Sequence, residues 1–393
     1  MRSLSFLIKP ASSICNLRCR YCFYADEAEN RMRPSAGVMT EATADLLLDE
    51  AYSTIDRNGY ISFMFQGGEP TAAGLPFFRH FAAKAREKKP PRVQISFAIQ
   101  TNGTLLNDEW AEFLREEGFL VGLSIDGFKD AHDLYRLDAA GKGTWNRVLR
   151  ASQLLTKHHV EYNALCVVTG RVARSPELTY RTLKKLGFRY MQFIACLDPI
   201  GSESGQDPSG TEFRNAPIEH IRGGEPYSLT PAAYGTFLCD LFDLWYRDWQ
   251  NGDYHSVRLF EDYVHILLGD NASTCATCGR CGSYLVVEGD GSLYPCDFFA
   301  LDKWLIGKLG DKPLAELADG EVARAFLQWG TEKPAECTTC RYSRICNGGC
   351  KNDWFADESG VHNYYCSAFT ALLDHAIDRM QEIALAERRM RGR

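Results

Sequence analysis

The chain has 393 residues, enough for a large core and two or three domains, and its 45% hydrophobic and 24% charged content is that of a globular protein. A formal charge of −7, from 44 basic and 51 acidic residues in a mixed pattern, argues against a nucleic-acid-binding surface, and no apolar run approaches membrane-spanning length. "MRSLSFLIKP" is too short in its apolar stretch to be a signal peptide, so a cytoplasmic location is expected. Fifteen cysteines in a reducing compartment point to metal binding or catalysis rather than to a disulfide framework.

Strand-like runs rich in β-branched and aromatic residues occur at 4–9, 61–66, 93–99, 120–125, 162–168 and 190–195. Helical patterns lie between them near 41–57, 76–88, 108–117, 145–159 and 175–186. Six strands alternating with helices predict βαβ units, right-handed crossovers and a parallel sheet. Chemistry-bearing residues fall just after the strands: cysteines after the first, "QGGEP" (66–70) after the second, "QTNGT" after the third and "DG" after the fourth. Four consecutive strands feeding one mouth favour an α/β fold of the partial (β/α)6 barrel type over an open sheet with a single crevice.

Residues 201–229 are polar and rich in Gly, Ser and Pro, and read as a long surface loop whose composition favours decoration. An aromatic-rich helix, "AAYGTFLCDLFDLWYRDW", follows it. Beyond about residue 255 cysteines and glycines become dense and helix–strand alternation fades, so a division into 1–250 and 251–393 is expected. "ERRMRGR" at the C-terminus reads as a solvated helix end.

Cys15, Cys19 and Cys22, spaced x3 and x2, have no fourth cysteine beside them. A structural zinc site takes four protein ligands, which this stretch does not supply. A four-iron cluster held by three thiolates keeps one iron open for a small chelating molecule. That spacing after a barrel strand resembles the radical S-adenosylmethionine (SAM) superfamily. The resemblance implies that SAM binds the open iron and is cleaved by one electron to a 5′-deoxyadenosyl radical. It also places Tyr21 beside the adenine and the strand-end "GGEP" at the SAM amino group. The glycines of that motif let backbone approach closely. A second "GGEP" at 223–226 has no strand before it and is assigned no role.

Read alone, Cys337, Cys340, Cys346, Cys350 and Cys366 suit a zinc ribbon, and Cys275, Cys278 and Cys281 resemble part of a ferredoxin run. A radical enzyme that oxidises its substrate must discard a second electron, which redox-inert zinc cannot accept. "CTTCRYSRICNGGC" followed by "NYYC" resembles the SPASM module, which carries two auxiliary [4Fe–4S] clusters. "LIKPASSICNLRCRYCFY", "FQGGEPTAAG", "QTNGTL", "FLVGLSIDG", "FLCDLFDLWYRD" and "VVEGDGSLYPCDFFALDKW" look like anaerobic sulfatase-maturating enzymes over nearly the whole chain.

That resemblance implies three [4Fe–4S] clusters. One would be held by Cys15, Cys19 and Cys22, a second by Cys275, Cys281, Cys296 and Cys350, and a third by Cys337, Cys340, Cys346 and Cys366. Cys278 is surplus, while Cys166, Cys196 and Cys239 fall in apolar patterns and read as core. SAM contacts carry over to Tyr21, Gly68, Ser124, Arg136 and Leu197, and the guanidinium of Arg136 suits the SAM carboxylate. His132 is expected to be structural. Asp297, directly after Cys296, would be the proton acceptor, with Tyr24 and Gln66 orienting the substrate side chain. The implied reaction converts a cysteine or serine of a sulfatase polypeptide, in a Cys/Ser-x-Pro/Ala-x-Arg motif, to Cα-formylglycine, with reduced flavodoxin or ferredoxin as electron donor. The alternatives are a SPASM enzyme cross-linking another ribosomal peptide, or a non-catalytic electron carrier or zinc-stabilised binding protein.

Overall fold

The computed structural model describes residues 1–201, 216–329 and 331–392. Strands β1 (Ser3–Ile8), β2 (Tyr60–Phe65), β3 (Gln94–Thr101), β4 (Phe119–Ser124), β5 (Tyr162–Val168) and β6 (Tyr190–Ala195) pair in chain order, all parallel. Helices Glu41–Thr54, Leu75–Lys88, Asp108–Glu116, Trp145–Lys157 and Pro176–Lys185 alternate with them. Thr40 and Asn107 start two of these helices by accepting hydrogen bonds from the amides of Thr43 and Trp110, each satisfying an otherwise orphaned donor. The helices cover an aromatic ladder running across the strands in register. Phe6 faces Phe63, Phe63 faces Phe97, and Phe97 faces Phe119, with centroids 5.9, 6.0 and 5.0 Å apart. Phe81 packs edge-on against Phe63 and Phe97 from its helix.

The sheet does not stop at residue 250. β7 (Ser256–Val257) joins β6, while β8 (Leu285–Val287) runs parallel to β1 on the opposite flank. β9 (Ser292–Tyr294) and β10 (Gly307–Lys308) continue antiparallel, giving the ten-stranded order β10-β9-β8-β1-β2-β3-β4-β5-β6-β7. The order is linear, with β10 and β7 at its ends, as a partial barrel requires. These added strands are two or three residues long, too short for a period of two to register in the sequence. A separate hairpin, β11 (Trp354–Asp357) and β12 (Gly360–Asn363), precedes the helix Cys366–Arg391. That helix lies along Pro231–Gln250, where Gly235 permits close contact: a Cβ there would sit 3.2 Å from Ala368 Cα.

Of the expected surface loop 201–229, residues 202–215 lie outside the described residues. The remainder stays a surface segment, exposed at Glu219, Ile221 and 223–226, but it is pinned to the body at a few buried positions. Ile218 and Leu229 are fully buried, Tyr227 is buried, and Ile200 bridges His220 in antiparallel fashion. Single apolar residues separated by polar ones carry no periodic signal, so composition alone hid them.

A buried group of charges fastens β8 to β1. Lys9, one residue past β1, extends its ammonium to Glu27 Oε2 at 3.2 Å and to Glu288 Oε1 at 2.8 Å. Arg31 reaches the same Glu288 oxygen at 2.7 Å, and Glu27 Oε1 accepts from the Ala300 amide at 2.8 Å. Lys9, Glu27 and Glu288 expose at most 1% of their surface. Burial raises the Glu27 carboxyl to about 7 despite Lys9 and Arg31, whereas those cations overcome burial at Glu288 and hold it at about 2. Removing one partner strands a buried cation, so Glu288→Gln should destabilise the protein by about 3–5 kcal/mol in guanidinium unfolding. A loss below about 1 kcal/mol would show that the network is not what clamps the two strands.

Candidate active site at the barrel mouth

Cys15, Cys19 and Cys22 lie on the segment leading from β1 into the helix Phe23–Glu29. Burial pushes the Cys15 thiol up to about 11 and the Cys19 thiol up to about 12, and each feels both of its neighbours or one of them as repelling charge. Burial raises Cys22 as well. Three thiols so placed ionise together only against a cationic centre, which suits metal ligation.

The glycine motif after β2 explains how this loop is held. The Gly68 amide donates to Ser12 O and the Glu69 amide to Ile14 O, both at 2.8 Å. A Cβ on Gly68 would lie 2.2 Å from Ile14 O, so the missing side chain first serves the approach of the cysteine loop's own backbone. Glu69, 1% exposed, collects four donors: the amide and hydroxyl of Thr71, the Thr101 hydroxyl at 2.7 Å and the Asn102 amide at 2.8 Å. Asn102 then donates to Asn16 Oδ1 at 3.0 Å, tying the loop after β3 to the cysteine segment. Glu69 and Asn102 belong to the "QGGEP" and "QTNGT" motifs, but their hub role is visible only in three dimensions.

Tyr21 is buried, with its hydroxyl on Asp126 and its ring edge-on to Tyr135 and Tyr227. Asp126, just past β4, takes Arg136 Nε at 2.8 Å, one Arg136 Nη at 3.1 Å and the Val167 amide at 2.9 Å. Against the burial that would raise it, the Arg136 guanidinium holds this carboxyl below its usual value. Ser124 ends β4 and Leu197 follows β6 by two residues, so Tyr21, Ser124, Arg136 and Leu197 all come from the C-terminal ends of strands or the loops after them. His132 is structural, as expected. It accepts from the Asp126 amide through Nδ1, contacts the Thr144 hydroxyl through Nε2, and burial lowers it to about 4.

Asp297 sits one residue past Cys296 and is 6% exposed. The Tyr284 hydroxyl donates to its Oδ1, and the Tyr24 hydroxyl lies 3.2 Å from Oδ2 and 2.9 Å from Gln66 Oε1. Tyr24 and Gln66 lie beside recognisable motifs, whereas Tyr284 does not. A tyrosine twelve residues ahead of Cys296 gives no local hint of the contact.

The remaining thiols fall into two groups by mutual repulsion. Cys275 feels Cys281, Cys296 feels Cys350 and Cys275, and Cys350 feels Cys275 and Cys281. Cys337 feels Cys366 and Cys340, and Cys346 feels Cys366, Cys337 and Cys340. Cys278 turns its thiol to the Ala272 carbonyl at 3.0 Å. Cys166 and Cys196 are buried as expected; Cys239 is only partly so. Among the described residues no three thiol sulfurs lie within 4.8 Å of one another. The one compact group, Asp248, Asp253 and His255, is already served by the Lys184 ammonium, which pairs with both carboxylates.

Residues 10–183 match the Radical SAM superfamily and residues 275–341 match the SPASM iron–sulfur cluster-binding domain. Across 98% of both chains the sequence is 39% identical to a cysteine-type anaerobic sulfatase-maturating enzyme of Clostridium novyi. A serine-type counterpart from Bacteroides thetaiotaomicron is 31% identical over 96% of this chain and 91% of its own. The fold superposes with a TM-score of 0.88 on native anSMEcpe with bound AdoMet and Cp18Cys peptide, at 39% identity over 98% of this chain and 99% of that one. No helix among the described residues is long and apolar enough to cross a membrane. The chain belongs to the anaerobic sulfatase-maturating enzymes, radical SAM proteins that carry a SPASM iron–sulfur domain.

Proposed function

We propose that this protein oxidises a cysteine in a sulfatase polypeptide to Cα-formylglycine, the client offering a Cys-x-Pro/Ala-x-Arg sequence. Greater similarity to a cysteine-type than to a serine-type relative favours cysteine. Residues 1–250 form the radical SAM barrel and 251–393 the auxiliary-cluster domain, sharing one sheet. Cys15, Cys19 and Cys22 hold the SAM-binding cluster. Cys275, Cys281, Cys296 and Cys350 hold the first auxiliary cluster, and Cys337, Cys340, Cys346 and Cys366 the second. Tyr21, Gly68, Ser124, Leu197 and Arg136, the last anchored by Asp126, contact SAM. When bound, these groups would supply a 5′-deoxyadenosyl radical for hydrogen abstraction at the cysteine Cβ and an acceptor for the remaining electron. Cytoplasmic reduced flavodoxin or ferredoxin is the proposed electron source.

The observation that carries this reading is Asp297, a nearly buried carboxylate held from both sides by tyrosine hydroxyls and adjacent in the chain to Cys296. Asp297 accepts the substrate thiol proton as the Cβ–H bond is broken, so proton and electron leave toward neighbouring positions. Tyr284 and Tyr24 fix the two carboxylate oxygens, and Gln66 shares the Tyr24 proton and so orients that hydroxyl. The thioaldehyde left behind is hydrolysed by water to the aldehyde and hydrogen sulfide.

Reconstituted enzyme given SAM, a reductant and paired peptides with Cys or Ser before x-Pro-x-Arg should convert the cysteine peptide. Mass spectrometry with a hydrazide probe reads the aldehyde; SAM cleavage with both peptides untouched would move the substrate to another peptide class. Asp297→Asn should retain all clusters and SAM cleavage but lose aldehyde formation by about 10²–10⁴-fold, the usual worth of a positioned base. Full turnover in that variant removes Asp297 from the role. Cys278→Ser should keep the wild-type iron content, whereas Cys281→Ser should lose the four irons of one cluster; equal losses would overturn the assignment of Cys278 as a bystander.

A further inference from the structure

Asp126 is 1% exposed, and its carboxylate accepts from four donors. Oδ2 takes Arg136 Nε at 2.8 Å and the Tyr21 hydroxyl, while Oδ1 takes one Arg136 Nη at 3.1 Å and the Val167 amide at 2.9 Å. The guanidinium is therefore held side-on through two nitrogens, with its other Nη not committed to Asp126. Its backbone is fixed separately. The Arg136 amide donates to His132 O at 2.8 Å, and the Arg136 carbonyl accepts from the Thr144 hydroxyl at 2.9 Å. His132 closes the ring, with Nε2 3.1 Å from that hydroxyl and Nδ1 accepting the Asp126 amide at 3.2 Å. Tyr135 and Tyr227 bracket the Tyr21 ring edge-on, with centroids at 6.1 and 6.2 Å, so the contact with Asp126 completes the placement of that side chain.

From this geometry we propose that Asp126 is a positioning residue for SAM: one buried carboxylate orients both the Arg136 guanidinium and Tyr21, and so sets the groups that receive the carboxylate and the adenine of SAM relative to each other. The inference rests on the assignment of Arg136 and Tyr21 to SAM made under the proposed function. An arginine free among its rotamers must be ordered when a ligand binds, whereas folding has already ordered this one. A carboxylate suits the task because it is acceptor-only, and four donors converge on it. Asparagine at 126 would offer one acceptor oxygen and an NH₂ that faces donors. No orientation of that amide accepts from all four, so the guanidinium must swing or the tyrosine must let go. Asp126 also offsets the charge of Arg136, which by itself would weaken the hold on an anion. Orientation and charge thus act with opposite signs, and binding separates them.

The test is equilibrium dialysis of SAM, without reductant so that none is cleaved, against cluster-loaded wild-type, Asp126→Asn, Arg136→Gln and doubly substituted proteins. Iron content and unfolding temperature are recorded for each. Asp126→Asn should raise the SAM Kd about tenfold, but less than about threefold when added to Arg136→Gln, because the guanidinium it positions is then gone. Equal factors in the two backgrounds would show that Asp126 does not act through Arg136, and overturn the inference. So would an unchanged Kd beside a lowered unfolding temperature, the result for a purely structural carboxylate. Tighter binding by Asp126→Asn would show a competing counter-ion and overturn it as well. Should that variant fail to fold or load, a crystal structure of the wild-type protein with SAM decides the matter. Arg136 still paired with Asp126 while its other Nη meets the SAM carboxylate supports the proposal, and release of Arg136 from Asp126 overturns it. A SAM Kd that Arg136→Gln leaves unchanged would instead refute the SAM assignment beneath it.

Discussion

Four buried charges hold this molecule in its working arrangement. Lys9, Glu27, Arg31 and Glu288 come from the end of β1, the helix Phe23–Glu29, the turn after it and the end of β8. Taking charges out of water costs several kcal/mol each, and close pairing does little more than offset that cost. Their value lies in discrimination. Any other placement of β8 against β1 leaves a cation or a carboxylate alone in an apolar interior. The two carboxylates also divide the work unequally: both cations hold Glu288 down at about 2, while burial raises Glu27 to about 7 despite Lys9 and Arg31.

That clamp has consequences at the mouth. With β8 beside β1, the β8–β9 turn brings Cys296 and Asp297 back over the first helix, where Tyr24 meets Asp297 and Glu27 meets the Ala300 amide. In the proposed reaction the proton acceptor and the electron acceptor are neighbours in the chain, so one strand end positions both. On the other side, Gly67 and Gly68 let the β2 loop press against the cysteine segment, and Glu69 gathers the loop after β3 into the same unit. The cysteine loop is thus held by backbone contacts and polar ties from three strands.

Much of this was legible in the residues. The six parallel strands and five helices carry strong periods, and each of these eleven appears within a few residues of its expected place, whereas the helices Arg258–Leu268 and Cys366–Arg391 were given no range. Cys15, Cys19, Cys22 and the strand-end glycine motif are local patterns with local meaning. The hubs were not legible. Glu69, Asp126, Tyr284 and Lys9 are ordinary residue types whose partners lie up to hundreds of positions away. Nor did composition disclose that Ile218, Tyr227 and Leu229 are buried within a segment that reads as polar loop.

By itself the sequence determined the alternating architecture, the three-cysteine motif and the abundance of further thiols, because periodicity and short spacings are set by backbone geometry within a few residues. Tertiary structure alone decided which buried charges pair, which ordinary polar residues become hubs and which short strands complete the sheet. Those outcomes depend on long-range pairing and on desolvation, where a charge or thiol settles only beside its complement. No local pattern encodes that complement when it is supplied by a two- or three-residue strand from the far end of the chain.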